Sequence, residues 1–79
     1  MLSTSQIRAA RALVRWSAQD LADASGIAVS TIRRLELEDG VPAAHVRTLE
    51  ALKAALERAG IEFIGSPTDG PGVRLRATP

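Results

Sequence analysis

The chain has 79 residues, enough for one domain near the lower limit at which a single hydrophobic core folds unaided. Apolar residues make up 46%, yet there is one Phe, one Trp and no Tyr, so the core is expected to be aliphatic and built from Ala- and Leu-rich helices. The absence of Cys excludes disulfides and thiolate metal sites, no apolar run approaches the ~20 residues that span a bilayer, and a formal charge of +1 does not by itself imply nucleic acid.

The first residues lack an apolar stretch behind a basic prefix, so no signal peptide is expected and a cytoplasmic location is the default. Ser3-Thr4-Ser5 precedes Ile7, Ala10, Leu13 and Val14 at helical spacing, which predicts a first helix from about Ser5 to Arg15. Its other face carries Arg8, Arg11 and Arg15. Trp16 follows as an expected core plug, then Ser17 with Asp20 three residues on, the pattern of a capping box that opens a second helix. Asp20 and Asp23 suit the positive end of that helix, and Gly26 is expected to close it in a left-handed conformation. A third helix is predicted from about Ala28 to Leu37, stopping before Gly40 and Pro42. A fourth runs from about Ala43 to Ala59, with Val46, Leu49, Leu52 and Leu56 on one stripe and Gly60 after it. The period then changes. Ile61-Glu62-Phe63-Ile64 and Val73-Arg74-Leu75-Arg76-Ala77 are short β-type runs separated by the turn-forming stretch Gly65–Gly72, so a β-hairpin with a flexible tip is expected. An isolated hairpin is marginal in water, so this one should lie on a helix or pair with another chain.

The most informative segment is residues 17–37. Leu21, Ala22, Ile27, Ile32 and Leu35 fall on inward positions, while Ser30, Arg33 and Arg34 share the outward face of the third helix. Two short helices crossing over one small apolar contact have the geometry of a helix-turn-helix, whose second helix is free to enter a DNA major groove.

This segment and its neighbours resemble the XRE-type, lambda-repressor-like helix-turn-helix family. The matching residues are Arg11, Ser17, Leu21, Ala22, Gly26, Ile27, Thr31, Ile32, Leu35, Glu36, Pro42 and Leu49, without a gap over residues 11–42, and the resemblance spans about residues 5–59. It implies a mainly α fold of four helices, followed here by a short C-terminal β-hairpin where the family has a fifth helix. Residues 1–60 would form the DNA-binding domain and 61–79 a hairpin within the same domain, with Ile61, Phe63, Ile64, Val73 and Leu75 as the candidate dimerisation surface. The resemblance also implies an ion pair between Arg11 and Glu36, which accounts for a carboxylate at the unfavourable C-terminal end of the third helix. The departures are specific. Ala18 stands where the family often has a phosphate-clamping Gln, Ala28 where a Ser caps the recognition helix, Val29 at the first base-reading position, and Glu38-Asp39 where basic residues are common.

The function these features imply is a sequence-specific, double-stranded DNA-binding transcriptional regulator, a repressor acting by occlusion as a homodimer on an inverted repeat. Candidate DNA contacts are Val29, Ser30, Thr31, Arg33 and Arg34 on the third helix, Ser17 and Gln19 at the start of the second, and His45 at the start of the fourth. Arg33 suits a bidentate contact to guanine and Val29 a thymine methyl, against a solvated helix face for the one and partial packing on the second helix for the other. His45 is read as a phosphate contact or a surface imidazole, and Arg74 and Arg76 as a solvated strand face or a backbone contact. A protein-interaction module on the same fold, such as an antitoxin or adaptor, is the alternative, favoured by the low net charge, Ala18, Ala28 and Glu38-Asp39. No Ser-His-Asp, Cys-His or paired-carboxylate arrangement is visible and there is one His, so no enzyme activity, metal or cofactor is expected.

Overall fold

Two reciprocal capping boxes set where the chain first turns helical. Ser3 accepts from the Gln6 amide at 3.1 Å and its own amide donates to Gln6 Oε1 at 3.0 Å, so α1 (Thr4–Val14) opens earlier than the predicted Ser5. Ser17 and Asp20 close the same loop at 3.0 and 2.9 Å and open α2 (Ala18–Ser25), which ends at Gly26 with φ 77°. The computed structural model describes residues 2–38 and 44–76, and continues with α3 (Val29–Glu36), α4 (Val46–Arg58), β1 (Ile61–Ser66) and β2 (Asp69–Leu75). Asp39, the stop signals Gly40 and Pro42, the predicted α4 start at Ala43, and Ala77 lie outside the described residues.

The helices meet over an aliphatic core. Ile7, Leu21, Ile32, Leu52 and Leu56 are fully buried, joined by Ala10, Ala22, Leu35, Ala55 and Ile61. Each large aliphatic side chain withdrawn from water contributes about 1.5–3 kcal/mol. That contribution matters most for α3, whose Ala28 N-cap makes no side-chain hydrogen bond. Eight residues without a cap do not hold a helix in water, so packing of Ile32 and Leu35 maintains it. Among the described residues no helix is long and apolar enough to cross a membrane.

Several apolar residues expected inside are only partly there, Val14 and Ile27 among them. Leu13 is 41% exposed and Val46 63%, because each sits roughly 100° around its helix from the inward stripe, Ile7–Ala10–Val14 in one case and Leu49–Leu52–Leu56 in the other. Trp16 is half-buried against the core rather than plugged into it.

The hairpin is longer and tighter than its sequence suggests. β1 and β2 pair antiparallel with Ile61 opposite Leu75, Glu62 opposite Arg74, Phe63 opposite Val73, Ile64 opposite Gly72 and Ser66 opposite Asp69. The stretch expected as a flexible tip is therefore mostly strand. Gly65, at φ 73°, absorbs the register shift between Ile64 and Ser66, and the turn is left to Pro67 and Thr68. The hairpin is steadied by α1 of the same chain. Gln6 Nε2, on a side chain buried within α1, donates to the carbonyls of Ile64 and Gly72, each at 3.1 Å, spanning both strands. Ile61 is buried, and Phe63 and Val73 pack half-buried on the core.

Candidate nucleic-acid interface

α3 divides its residues by spacing. Ile32 and Leu35 point inward at 0% and 3% exposure, while Ser30, Arg33 and Arg34 are exposed on the other side. Neither Arg33 nor Arg34 has an ion-pair partner among the described residues, so two guanidiniums stand toward solvent one turn from a hydroxyl. Their place in the last turn also complements the negative end of the α3 dipole.

What aims that face is a clamp on the end of α3. Arg11 Nε and Nη2 donate to the two Glu36 carboxylate oxygens at 2.8 and 2.6 Å, its Nη1 donates to the Trp16 carbonyl at 2.9 Å, and Arg8 Nη1 donates to the Glu36 carbonyl at 2.6 Å. Donating to the Glu36 carboxylate raises the Arg11 pKa above its already high ordinary value, with partial burial working against it. The pair expected from the family resemblance is thus present as a bidentate bridge between α1 and α3.

A second group of residues gathers where α3 meets the start of α4. Thr31, Arg34, His45 and Thr48 line an open recess of about 570 Å³ with Ala44. His45 is the α4 N-cap but makes no side-chain cap bond, and no acidic residue occupies the first turn. Arg47 stands exposed there instead. A cation at a positive helix end is unfavourable by itself and becomes favourable beside an anion. Arg47 and Thr48 were not among the residues singled out from sequence. The signal that could have found Arg47 is this misplaced charge.

Other candidate positions are differently engaged. Ser17 spends its hydroxyl and amide on the α2 cap, and the Asp20 carboxylate occupies the helix end where a phosphate would otherwise approach. Gln19 donates to Asp23 Oδ1 at 3.0 Å, which turns it along α2. Val29 is half-buried and packs against the core, so the first turn of α3 does not leave it wholly outside. On the hairpin, Ile61, Phe63 and Val73 are taken up by the core of the same chain, whereas Ile64 and Leu75 remain 40% and 46% exposed. Arg74 is paired across the strands, its Nη2 donating to Glu62 Oε1 at 2.7 Å.

Residues 7–59, well over half of the chain, match the family model described as helix-turn-helix. The matched region runs from the core residue Ile7 through the end of α4 and stops short of the hairpin. No curated protein matches the sequence.

Proposed function

Because the chain belongs to the XRE-type helix-turn-helix family of DNA-binding regulators, we propose that it reads double-stranded DNA by sequence with α3 in the major groove. The observation that carries this reading is the α3 face itself: Arg33 and Arg34 exposed and without ion-pair partners among the described residues, over a buried Ile32 and Leu35. Arg33 contacts guanine O6 and N7, a bidentate pair worth ~1–3 kcal/mol of discrimination, and Ser30 reads the adjacent base edge. The part of Val29 left outside the core contacts a thymine methyl. Thr31, Arg34, His45, Arg47 and Thr48 hold backbone phosphate, which fixes register without reading sequence.

One module of this kind buries ~600–1,000 Å² on DNA, too little for tight specific binding. The chain therefore acts as a homodimer on an inverted repeat with half-sites ~34 Å apart or a multiple of that, and represses by occlusion. The exposed outer face of the hairpin around Ile64 is the surface proposed for that contact.

Selection of bound sequences from a random duplex pool, using the full chain, tests the reading. A palindromic motif is expected, with affinity falling steeply as salt rises. Arg33→Ala should flatten one position in each half-site. A selection that returns no motif overturns the proposal. The second reading, a protein-interaction module, draws on the Asp20 carboxylate seated at the α2 N-terminus, where it repels phosphate. Salt-independent binding to protein alone would favour it.

A further inference from the structure

The C-terminal ends of α1, α4 and β2 enclose a groove of about 730 Å³ that shares no residue with α3. Leu13, Trp16 and Leu75 supply its apolar surface, with Leu13 and Leu75 41% and 46% exposed. Leu75 lies on the same hairpin face as the buried Ile61, yet nothing among the described residues covers it fully. Arg15, Arg58 and Arg76 stand around these residues, and Glu57 is the one carboxylate among the groove's lining residues. Three cations against one anion give the groove a local excess of positive charge, separate from the arginines of α3.

The backbone at Arg15 adds an independent observation. This residue closes α1 with φ 60° and ψ 38°, a left-handed conformation that glycine adopts freely and a residue with a side chain holds only at a cost. The position carries arginine nonetheless. Arg15 and Arg76 are exposed, and neither has an ion-pair partner among the described residues. Arg58 is tethered at the rim by its Nη2 donating to the Ala24 carbonyl at 3.1 Å.

We propose that this groove docks an extended acidic and apolar segment of a partner protein, with Leu-type side chains against Leu13, Trp16 and Leu75 and carboxylates against Arg15, Arg58 and Arg76. Nucleic acid fits less well, since a phosphate backbone gains nothing from exposed leucines. Two copies meeting groove to groove would set Arg15, Arg58 and Arg76 against the same arginines. A contact with any other surface of a second copy is head-to-tail and forms rings or open chains rather than a closed dimer. Because α3 takes no part in the groove, a partner docked here and DNA bound there are compatible.

Trp16 is the sole Trp in the chain and there is no Tyr, so its fluorescence reports on the groove directly. The full chain is titrated with a short synthetic peptide alternating Leu with Asp, and with the same peptide carrying Lys in place of Asp. A saturable change with Kd below about 100 μM is expected for the acidic peptide alone. Arg76→Glu should weaken it about tenfold. Arg15→Gly should weaken it severalfold while raising Tm by about 5 °C, because glycine relieves the left-handed backbone. Gain of stability with loss of binding separates a docking role from a merely structural one. The proposal is overturned by an absence of saturation at millimolar peptide, by equal binding of the Lys peptide, or by displacement with random duplex DNA. Open-ended self-association abolished by Arg76→Glu would overturn it too, by making a second copy the occupant.

Discussion

Replacing Arg11 tests whether the reading helix is held in place from outside itself. Arg11→Ala removes two charge-assisted hydrogen bonds to Glu36 and one to the Trp16 carbonyl, leaving a carboxylate whose side chain is 10% exposed beside a vacated guanidinium site. Hydrogen bonds to charged groups contribute about 1.5–3 kcal/mol each, and stranding one partner of a buried pair costs about 3–5 kcal/mol. The Arg11 side chain is 20% exposed, so water recovers part of that loss and about 2–4 kcal/mol is expected. A domain of this size has about 4–12 kcal/mol in total, so Tm should fall by about 10–25 °C. Arg11→Lys keeps the charge but not the fork, and should lose about half as much. Urea unfolding followed by Trp16 fluorescence and far-UV circular dichroism, on both single variants and the Arg11→Ala/Glu36→Ala double variant, yields the coupling directly. About 1.5–3 kcal/mol is expected, with the selected DNA motif unchanged at temperatures where each variant is folded. A coupling within about 0.5 kcal/mol of zero, or a changed base preference with unchanged stability, would refute the reasoning.

Gln6→Ala removes the α1 capping partner and both bonds to the hairpin carbonyls; about 2–3 kcal/mol should be lost, with β1 and β2 amides exchanging first. Gly65→Ala places a Cβ about 2.7 Å from the Asp69 carbonyl oxygen at φ 73°, so amide chemical shifts should move along Ser66–Gly70 and stability should drop by about 2 kcal/mol. Arg47→Ala should reduce the slope of log affinity against log salt by about one while leaving the motif intact. Val29→Ala should cost about 1 kcal/mol and weaken a thymine preference; no change in either would remove Val29 from the interface.

Local signals were sufficient for the elements and much of the candidate face. Ser17 three residues before Asp20, Gly26 after Ser25, and the spacing of Ile32 and Leu35 around Arg33 and Arg34 each act within one or two turns, and the chain obeys them. Helix α1 began earlier than expected since two serines competed for the cap and Ser3 has Gln6 at the reciprocal position. The exposure of Leu13 and Val46 was recoverable from helical phase alone, which places both off their stripes. The recess at the α4 N-terminus was not, because Thr31 and Arg34 are separated from His45 and Thr48 by a segment whose path no periodicity encodes.

The order of residues thus determined the helix-turn-helix, the outward arginines of α3 and the presence of a C-terminal hairpin, all of them consequences of period, capping and turn chemistry. Only the tertiary structure decided that Gln6 reaches both strands of the hairpin, that Phe63 and Val73 rest on the core of their own chain, and that Arg15, Arg58 and Arg76 converge around Leu13 and Leu75. Those contacts join residues distant along the chain, including pairs 58 and 66 residues apart. Closure over such separations is stabilised by the packed core as a whole and leaves no trace in any short window of sequence.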